Sequence, residues 1–377
     1  MKKRLTYAMV GGAEGSFIGP IHRGAIRLDD LADLVAGNFS RSAEKNEATG
    51  RSLGLDPARV YGGWKELIAA EKGKIDFLVI CTPNDSHYAI ARAALAAGMN
   101  IMCEKPLSLT RKEAETLEKL ARQKRLVVGV PFSYAAMPMV KLARDLVKKG
   151  LLGKVCKVHL EYVQGSFRRI DPKDAADLRN RWKMNPKIAG PSCVVADIGV
   201  HGASLIEAVT GLEIVSVLAD FSSYTTSKEL EDDASIIMKL GKPADGAKAV
   251  MVTSKVATGE ENGVRLRVYG DKASLYWNQE EGNYLHVKFP FEPERIYKRN
   301  APYIRDLSAV SKRLSRIPAG HHEGFIEAFS NLYLEFCAAV RGEKNRDFTG
   351  AREGVRTMRF VDAVRKSAKL GSRWVKV

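Results

Sequence analysis

Short apolar runs alternate with segments of helical spacing through the amino-terminal third of the chain. Leu5 to Val10 is apolar and empties into Gly11-Gly12-Ala13-Glu14-Gly15-Ser16-Phe17-Ile18-Gly19. From His22 to Leu28 the apolar positions recur at helical intervals, so the pattern predicts strand, glycine loop, helix. Leu31 to Phe39 predicts a second strand, and the helix after it opens on a cap at Ser40 or Ser42. Asp76 to Cys81 is a continuous apolar run of the kind buried in a parallel sheet. It ends in Thr82-Pro83-Asn84-Asp85-Ser86-His87, followed by a predicted helix from Tyr88 to Ala97 with Gly98 as its terminator. Asn100 to Cys103 is the next strand. Thr110 caps a helix from Arg111 to Gln123 with Glu113 and Glu115 near its start, and Leu126 to Val130 is the last strand. This alternation predicts a doubly wound α/β sheet over residues 1–130.

Beyond residue 130 the pattern changes. Lys154 to Gln164, Ile214 to Phe221, Ala234 to Leu240, Ala247 to Val256, Val264 to Tyr269, Ala273 to Asn278 and Tyr284 to Phe289 read as strands separated by turn residues. Gly270-Asp271 is a hairpin turn in this reading. At 377 residues the chain exceeds one ordinary core, which predicts a second domain over residues 131–377.

Composition narrows the function classes. Hydrophobic residues make up 45% and aromatic residues 8%, which suits a folded soluble protein. No apolar run approaches the roughly 20 residues of a membrane span. The basic start Met1-Lys2-Lys3-Arg4 is followed by too short an apolar stretch for a signal peptide, so a cytoplasmic location is expected. Five scattered cysteines have no metal or redox spacing, and His321-His322-Glu323 lacks the second histidine of a zinc helix; no metal site is expected. The net charge of +16, from 60 basic and 44 acidic residues, raises the question of nucleic acid. The basic residues are spread along the chain without interleaved stacking aromatics. Attraction of an anionic cofactor or substrate accounts for them, and no nucleic-acid partner is expected.

Two constellations carry candidate chemistry. Glu104-Lys105-Pro106 ends a strand, which delivers an ammonium group to the rim where open α/β sheets bind ligands. Asp197 and His201 are four residues apart and would share one face of a helix. A lysine, an aspartate and a histidine can together remove the proton of an alcohol while a cofactor takes the hydride. The glycine loop fits such a cofactor, since a strand–loop–helix aims backbone N–H groups at a pyrophosphate. Its spacing, Gly-Gly-x-x-Gly-x-x-x-Gly, departs from the usual G-x-G-x-x-G. The end of the second strand carries Asn38, Ser40 and Arg41 where NAD enzymes place an acid. Arg41 either accepts a 2′-phosphate or is a solvated residue at a helix start, so NAD and NADP both stay open.

In order, Phe17-Ile18-Gly19-x-x-His22-Arg23, Thr82-Pro83-Asn84-x-x-His87, Glu104-Lys105-Pro106-Leu107 and Asp197-x-x-x-His201 resemble the glucose–fructose oxidoreductase/inositol dehydrogenase family (Gfo/Idh/MocA) over essentially the whole chain. The loop variant, with Gly259-Glu260-Glu261-Asn262 and Gly320-His321, resembles a branch of levoglucosan dehydrogenase-like and other sugar or polyol dehydrogenases. The resemblance implies a Rossmann domain followed by an α/β domain with a large, mainly antiparallel, open-faced sheet. It implies a sugar, sugar derivative or cyclic polyol as substrate, with NAD or NADP. An uncovered sheet face usually means a partner subunit, which predicts a homodimer or homotetramer.

Carried over, Lys105, Asp197 and His201 are the catalytic residues and Glu104 neighbours the nicotinamide. Gly11, Gly12, Gly15, Phe17, Ile18, Ser40, Arg41, Thr82, Pro83, Asn84 and His87 join Glu104 and Lys105 around the cofactor. Tyr134, Gln164, Arg181, Trp182 and His321 join the catalytic residues at the substrate. Ser133 and Ala135 replace the asparagine and arginine that often flank that tyrosine in the family, which leaves the substrate contacts open. Each residue has a plainer alternative. Lys105 could be an exposed strand-end lysine, Asp197 a helix N-cap and His201 a satisfied core histidine. Arg181 could be a surface ion-pair residue, Trp182 a core anchor, and His321, at the start of a helix through Tyr333 and Ala339, only a cap. The competing function is a non-catalytic regulator that keeps the fold as a ligand sensor. Retention of Lys105, Asp197 and His201 together favours the enzyme.

Overall fold

The computed structural model describes residues 4–167, 181–225, 230–241, 246–344 and 346–377. The chain divides into two compact units, Met1–Ser133 with Phe325–Arg356, and Tyr134–Gly324 with Thr357–Val377.

In the first unit, β1 (Leu5–Gly11), β2 (Ala32–Asn38), β3 (Phe77–Cys81), β4 (Asn100–Cys103) and β5 (Val128–Gly129) form a parallel sheet in the order β2-β1-β3-β4-β5. Every residue of β3 is buried, as the unbroken apolar run requires of a central parallel strand. Tyr7 of β1 stacks on Phe77 of β3 with ring centroids 5.3 Å apart. The helix Phe325–Val340 closes over this pair, bringing Tyr333 and Phe336 against Phe77, and packs along the helix Ile18–Leu28. Two helices begin earlier than the apolar spacing predicts, at Ile18 and at Asn84. Their first turns are polar or glycine-bearing and read as loop, yet Pro83, extended at the N-cap, leaves the chain free to coil directly after it. Thr110 caps its helix with a capping box: its hydroxyl accepts from Glu113 N, and Glu113 Oε2 accepts from Thr110 N at 3.0 Å. The expected helix after β2 is capped by Ser42, not Ser40.

In the second unit, the described residues form a nine-stranded sheet in the order β13-β12-β11-β10-β6-β9-β8-β7-β14. Its strands are β6 (Val155–Val163), β7 (Ile214–Ser222), β8 (Asp233–Leu240), β9 (Lys248–Ser254), β10 (Gly263–Gly270), β11 (Ser274–Asn278), β12 (Tyr284–Lys288), β13 (Arg295–Lys298) and β14 (Val375–Lys376). Only the central β6–β9 pair is parallel. Burial alternates with period two along β6, β8 and β10. Leu160, Leu266, Met251 and Ile236 therefore share one face by register. The helix Val200–Thr210 lies on that face and packs against the helix Pro138–Lys148. Gly202 makes the approach possible, since a Cβ there would lie 2.5 Å from Met251 Sδ and 2.7 Å from Leu160 Cδ2. The opposite face carries Glu161 between Arg265 and Arg267, His159 against Tyr269, and a half-exposed Ile237.

Candidate active site

In the first unit the loops after β1, β3 and β4 are tied to one another. The backbone of Gly12 touches that of Gly19: a Cβ on Gly19 would lie 2.4 Å from Gly12 Cα. This contact draws the start of the helix Ile18–Leu28 onto the loop, and Arg23 Nη1 braces it by donating to Gly12 O at 2.8 Å. No acidic residue occupies the first turn of that helix. Gly11, Gly12 and Gly15 all have positive φ, and the Ser16 hydroxyl is buried without a hydrogen-bond partner. A glycine loop at a helix start with an unsatisfied hydroxyl suits the pyrophosphate of a dinucleotide. Sequence reading passed over Ser16, although it stands inside the loop. Phe17 is 74% exposed and Ile18 half-buried.

At the end of β2, Asn38 donates to Tyr61 O at 2.9 Å and is thereby committed to the structure, while Ser40 accepts from Ser42 N and Arg41 is exposed. After β3, His87 is fully buried with Nε2 2.8 Å from Thr82 O and Nδ1 2.8 Å from Pro106 O. It thus clamps the Thr82-Pro83-Asn84 turn to the Glu104-Lys105-Pro106 turn. Burial pushes its pKa below the ordinary value against the pull of the two carbonyls.

Glu104 is buried at the end of β4 and its Oε1 lies 3.0 Å from His22 Nε2. His22 Nδ1 in turn meets the Tyr333 hydroxyl at 2.6 Å. Burial alone would raise the Glu104 pKa, but the His22 hydrogen bond and the nearby Lys105 hold it below the usual carboxylate range. An ionised Glu104 beside Lys105, which is half-buried, keeps negative charge next to the ammonium group. The buried thiols Cys81 and Cys337 are pushed up to about 12 by burial, which leaves them without nucleophilic character.

In the second unit Asp197 sits in a π-helical turn, Val195–Gly199, that runs into the helix Val200–Thr210 carrying His201. The expected face-sharing pair thus stands on a widened turn, a feature that often marks functional positions. The turn is held from below by Glu231, whose Oε1 accepts from Ser192 Oγ and from Val195 N. Asp197 Oδ2 is met by Lys183 Nζ at 2.9 Å and Lys255 Nζ at 2.5 Å. It is an ion-paired residue rather than a simple cap.

His201 is flanked edge-on by Tyr134 and Tyr162, with ring centroids at 5.3 and 6.1 Å. These tyrosines lead into a polar cluster. Tyr134 Oη lies 2.9 Å from Tyr162 Oη, and Asn262 Nδ2 donates to Tyr134 Oη at 2.9 Å. Tyr162 Oη and Gln164 Nε2 both donate to Asn262 Oδ1 at 3.0 Å. The structure therefore brings Tyr134, Gln164, Asp197 and His201 into one neighbourhood and adds Tyr162, Lys183, Lys255 and Asn262. Burial raises Tyr162 well above the ordinary phenol value, so it stays protonated.

The remaining expectations fare differently. Trp182 packs on the small apolar cluster of Phe167, Ala189, Cys193 and Leu230, where it anchors the chain. The Arg181 side chain lies outside the described residues. His321 does not begin a helix: it is exposed in the loop before Phe325–Val340. Gly320, at φ +94°, breaks the chain there, and Arg299 Nη2 grips His321 O at 2.6 Å. Among the described residues no group of three His, Cys, Asp or Glu side chains could hold a metal ion, and no helix is long and apolar enough to cross a membrane.

Residues 5–132 match the oxidoreductase family's NAD-binding Rossmann fold and residues 144–377 its C-terminal alpha/beta domain. The chain is 33% identical over 389 aligned positions to the uncharacterized oxidoreductase YfiI of Bacillus subtilis (strain 168), covering 100% of this chain and 97% of that one. A levoglucosan dehydrogenase of Pseudarthrobacter phenanthrenivorans is 27% identical over 63% of this chain and 65% of its own. Among solved structures, an inositol dehydrogenase homolog from Azotobacter vinelandii complexed with NAD+ superposes with a TM-score of 0.94 at 34% identity, covering 100% of this chain and 98% of that one. The same homolog complexed with NADH and myo-inositol gives 0.92. Matches to both domains make this chain a member of the Gfo/Idh/MocA oxidoreductase family, built on an NAD-binding Rossmann domain and a C-terminal α/β domain.

Proposed function

We propose that the protein is a dehydrogenase that interconverts a secondary alcohol and a ketone on a sugar, sugar derivative or cyclic polyol. The observation that carries this reading is the neighbourhood of His201. A histidine and an ion-paired aspartate stand beside two tyrosine hydroxyls and two carboxamides joined in one network. Hydroxyl and carboxamide groups of this kind suit a polyhydroxylated substrate better than an apolar one. The myo-inositol and levoglucosan of the related structures belong to that class.

A nicotinamide dinucleotide, when bound, supplies the hydride acceptor or donor. The glycine loop and the Ser16 hydroxyl would hold its pyrophosphate, and the turns after β3 and β4 would border its nicotinamide end. His201 takes the proton of the reacting hydroxyl, a task for which an imidazole is a common base. Lys105 stabilises the negative charge that develops on that oxygen, and Asp197 orients the hydroxyl or the imidazole. Glu104, kept ionised by His22, fixes the Lys105 turn through its contact with Lys105 N at 3.0 Å.

The test is a screen of sugars and polyols with NAD and with NADP, following nicotinamide absorbance. Turnover on at least one cyclic polyol or sugar is expected. Dinucleotide binding without turnover on any alcohol would leave the protein a ligand-sensing regulator of the same fold. We also propose that the charged, partly apolar sheet face bearing Glu161, Arg265 and Ile237 is covered by a second copy of the chain. Sedimentation of a monomer at micromolar concentration would remove that part.

A further inference from the structure

Lys255 is the most deeply buried ammonium that faces Asp197. It follows β9, where alternation from Met251 through Thr253 turns it toward the helix-covered face of the sheet. Its backbone N donates to Asp232 O at 2.8 Å, and its Nζ lies 5.1 Å over the Phe167 ring. The side chain is 3% exposed, against 24% for Lys183, which approaches the same carboxylate from the turn Arg181–Met184. A buried ammonium needs a counter-charge within contact, and Asp197 Oδ2 at 2.5 Å supplies it. Other groups near Asp197 are the Glu231 carboxylate ahead of β8, the Cys193 thiol, the Tyr162 hydroxyl from β6 and the His201 imidazole on its own helix. Of these, Glu231 would oppose ionisation of Asp197 if charged, so the two lysines carry the burden of keeping the aspartate an anion.

We propose that Lys255 is a positioning residue that acts through Asp197, fixing the orientation of its carboxylate and keeping it ionised beside His201. The proposal rests on the dehydrogenase reading for its kinetic consequence, but its physical core is a property of the resting protein. Removing the ammonium leaves a half-buried carboxylate with one cation fewer, and the carboxyl then binds a proton at higher pH. Protonated Asp197 neither orients a hydroxyl as an anion nor balances an imidazolium at His201, so activity fails earlier on acidification.

The experiment follows the carboxyl carbon of Asp197 by NMR in protein labelled at aspartate, assigned by its loss in Asp197→Asn. In Lys255→Met the midpoint should rise by at least about one pH unit, the size of effect an opposite charge at contact distance exerts. In Lys255→Arg the midpoint should return most of the way to wild type. On an accepted substrate the acid limb of kcat/KM should move with the carboxyl midpoint across the three proteins. Melting temperature and dinucleotide binding verify that each variant is folded, and Lys255→Gln replaces Lys255→Met if the latter does not fold. An unchanged Asp197 midpoint in a folded Met or Gln variant overturns the proposal. An equal rise in Lys255→Arg also overturns it, because the charge would then not be the cause. Absence of turnover on every alcohol would instead count against the dehydrogenase reading, and the carboxyl titration would still decide the role of Lys255.

Discussion

The imidazole of His22 and the hydroxyl of Tyr333, 311 positions apart in the chain, meet at 2.6 Å in the interior of the first unit. Both side chains are fully buried, and the far nitrogen of the imidazole reaches Glu104. A helix from the end of the chain thereby orients a carboxylate next to the proposed catalytic lysine. The phenol is held protonated, since burial pushes it well above its ordinary pKa, so it donates and fixes the ring's tautomer toward Glu104.

Tyr333→Phe removes that donor at constant shape and leaves a buried ring nitrogen unsatisfied. Stability should fall by about 1–3 kcal/mol, read as a lower urea midpoint. An unchanged midpoint would mean that the contact contributes nothing.

Glu104 also predicts a pH dependence. Its folded pKa is depressed below the reference value of 4.5, so its contribution to stability is complete above that value and is lost as pH falls through the lower folded value. The stability gap between wild type and Glu104→Gln should therefore be constant above about pH 5.5 and shrink on acidification below the reference pKa. Denaturant titrations across pH 3 to 7 provide the comparison; a gap that widens in acid would contradict the assignment.

Gly19→Ala forces a methyl group into the Gly12 backbone at 2.4 Å. Dinucleotide affinity should drop at least about tenfold and the fold should loosen, because the clash is with backbone and cannot be relieved by a rotamer change. Gly24→Ala, in the same helix with open space around it, should instead stabilise by about 0.5–1 kcal/mol. Equal effects at the two sites would refute the packing argument.

Lys105→Ala and His201→Ala should each reduce turnover by at least ~10²-fold, the usual loss when an electrostatic or acid–base group is removed. Near-wild-type rates in both would eliminate the mechanism.

Arg41→Ala should weaken NADP more than NAD if the exposed guanidinium grips a 2′-phosphate. Equal effects on the two cofactors would make Arg41 a helix-start residue and nothing more.

Local patterning made the first sheet legible. β1, β3 and β4 lie where unbroken apolar runs predict them, and Thr110 caps its helix as its spacing with Glu113 requires. Most strands of the second sheet were legible for the same reason: period-two burial writes itself into a short stretch. The helix Trp64–Glu71 and the short β13 and β14 were not, since their patterns are brief and their stability comes from neighbours. The start of Phe325–Val340 was displaced because Gly320 and the Arg299 grip, not helical propensity, shape the loop before it.

The order of motifs along the chain was enough to suggest the family and to nominate Lys105, Asp197 and His201, because these depend on spacing over a few residues. Tyr134 and Gln164 were nominated beside them through the family resemblance, but Tyr162, Lys183 and Lys255 were beyond its reach. Lys255 stands 58 residues from Asp197 and Asn262 stands 128 from Tyr134, and no local pattern encodes pairs that only the tertiary fold brings together. A lysine at the end of an apolar run was the one visible hint. Its meaning came from the fold, since a charge placed on the covered face of a sheet must find a counter-charge there, and Asp197 is the one it meets.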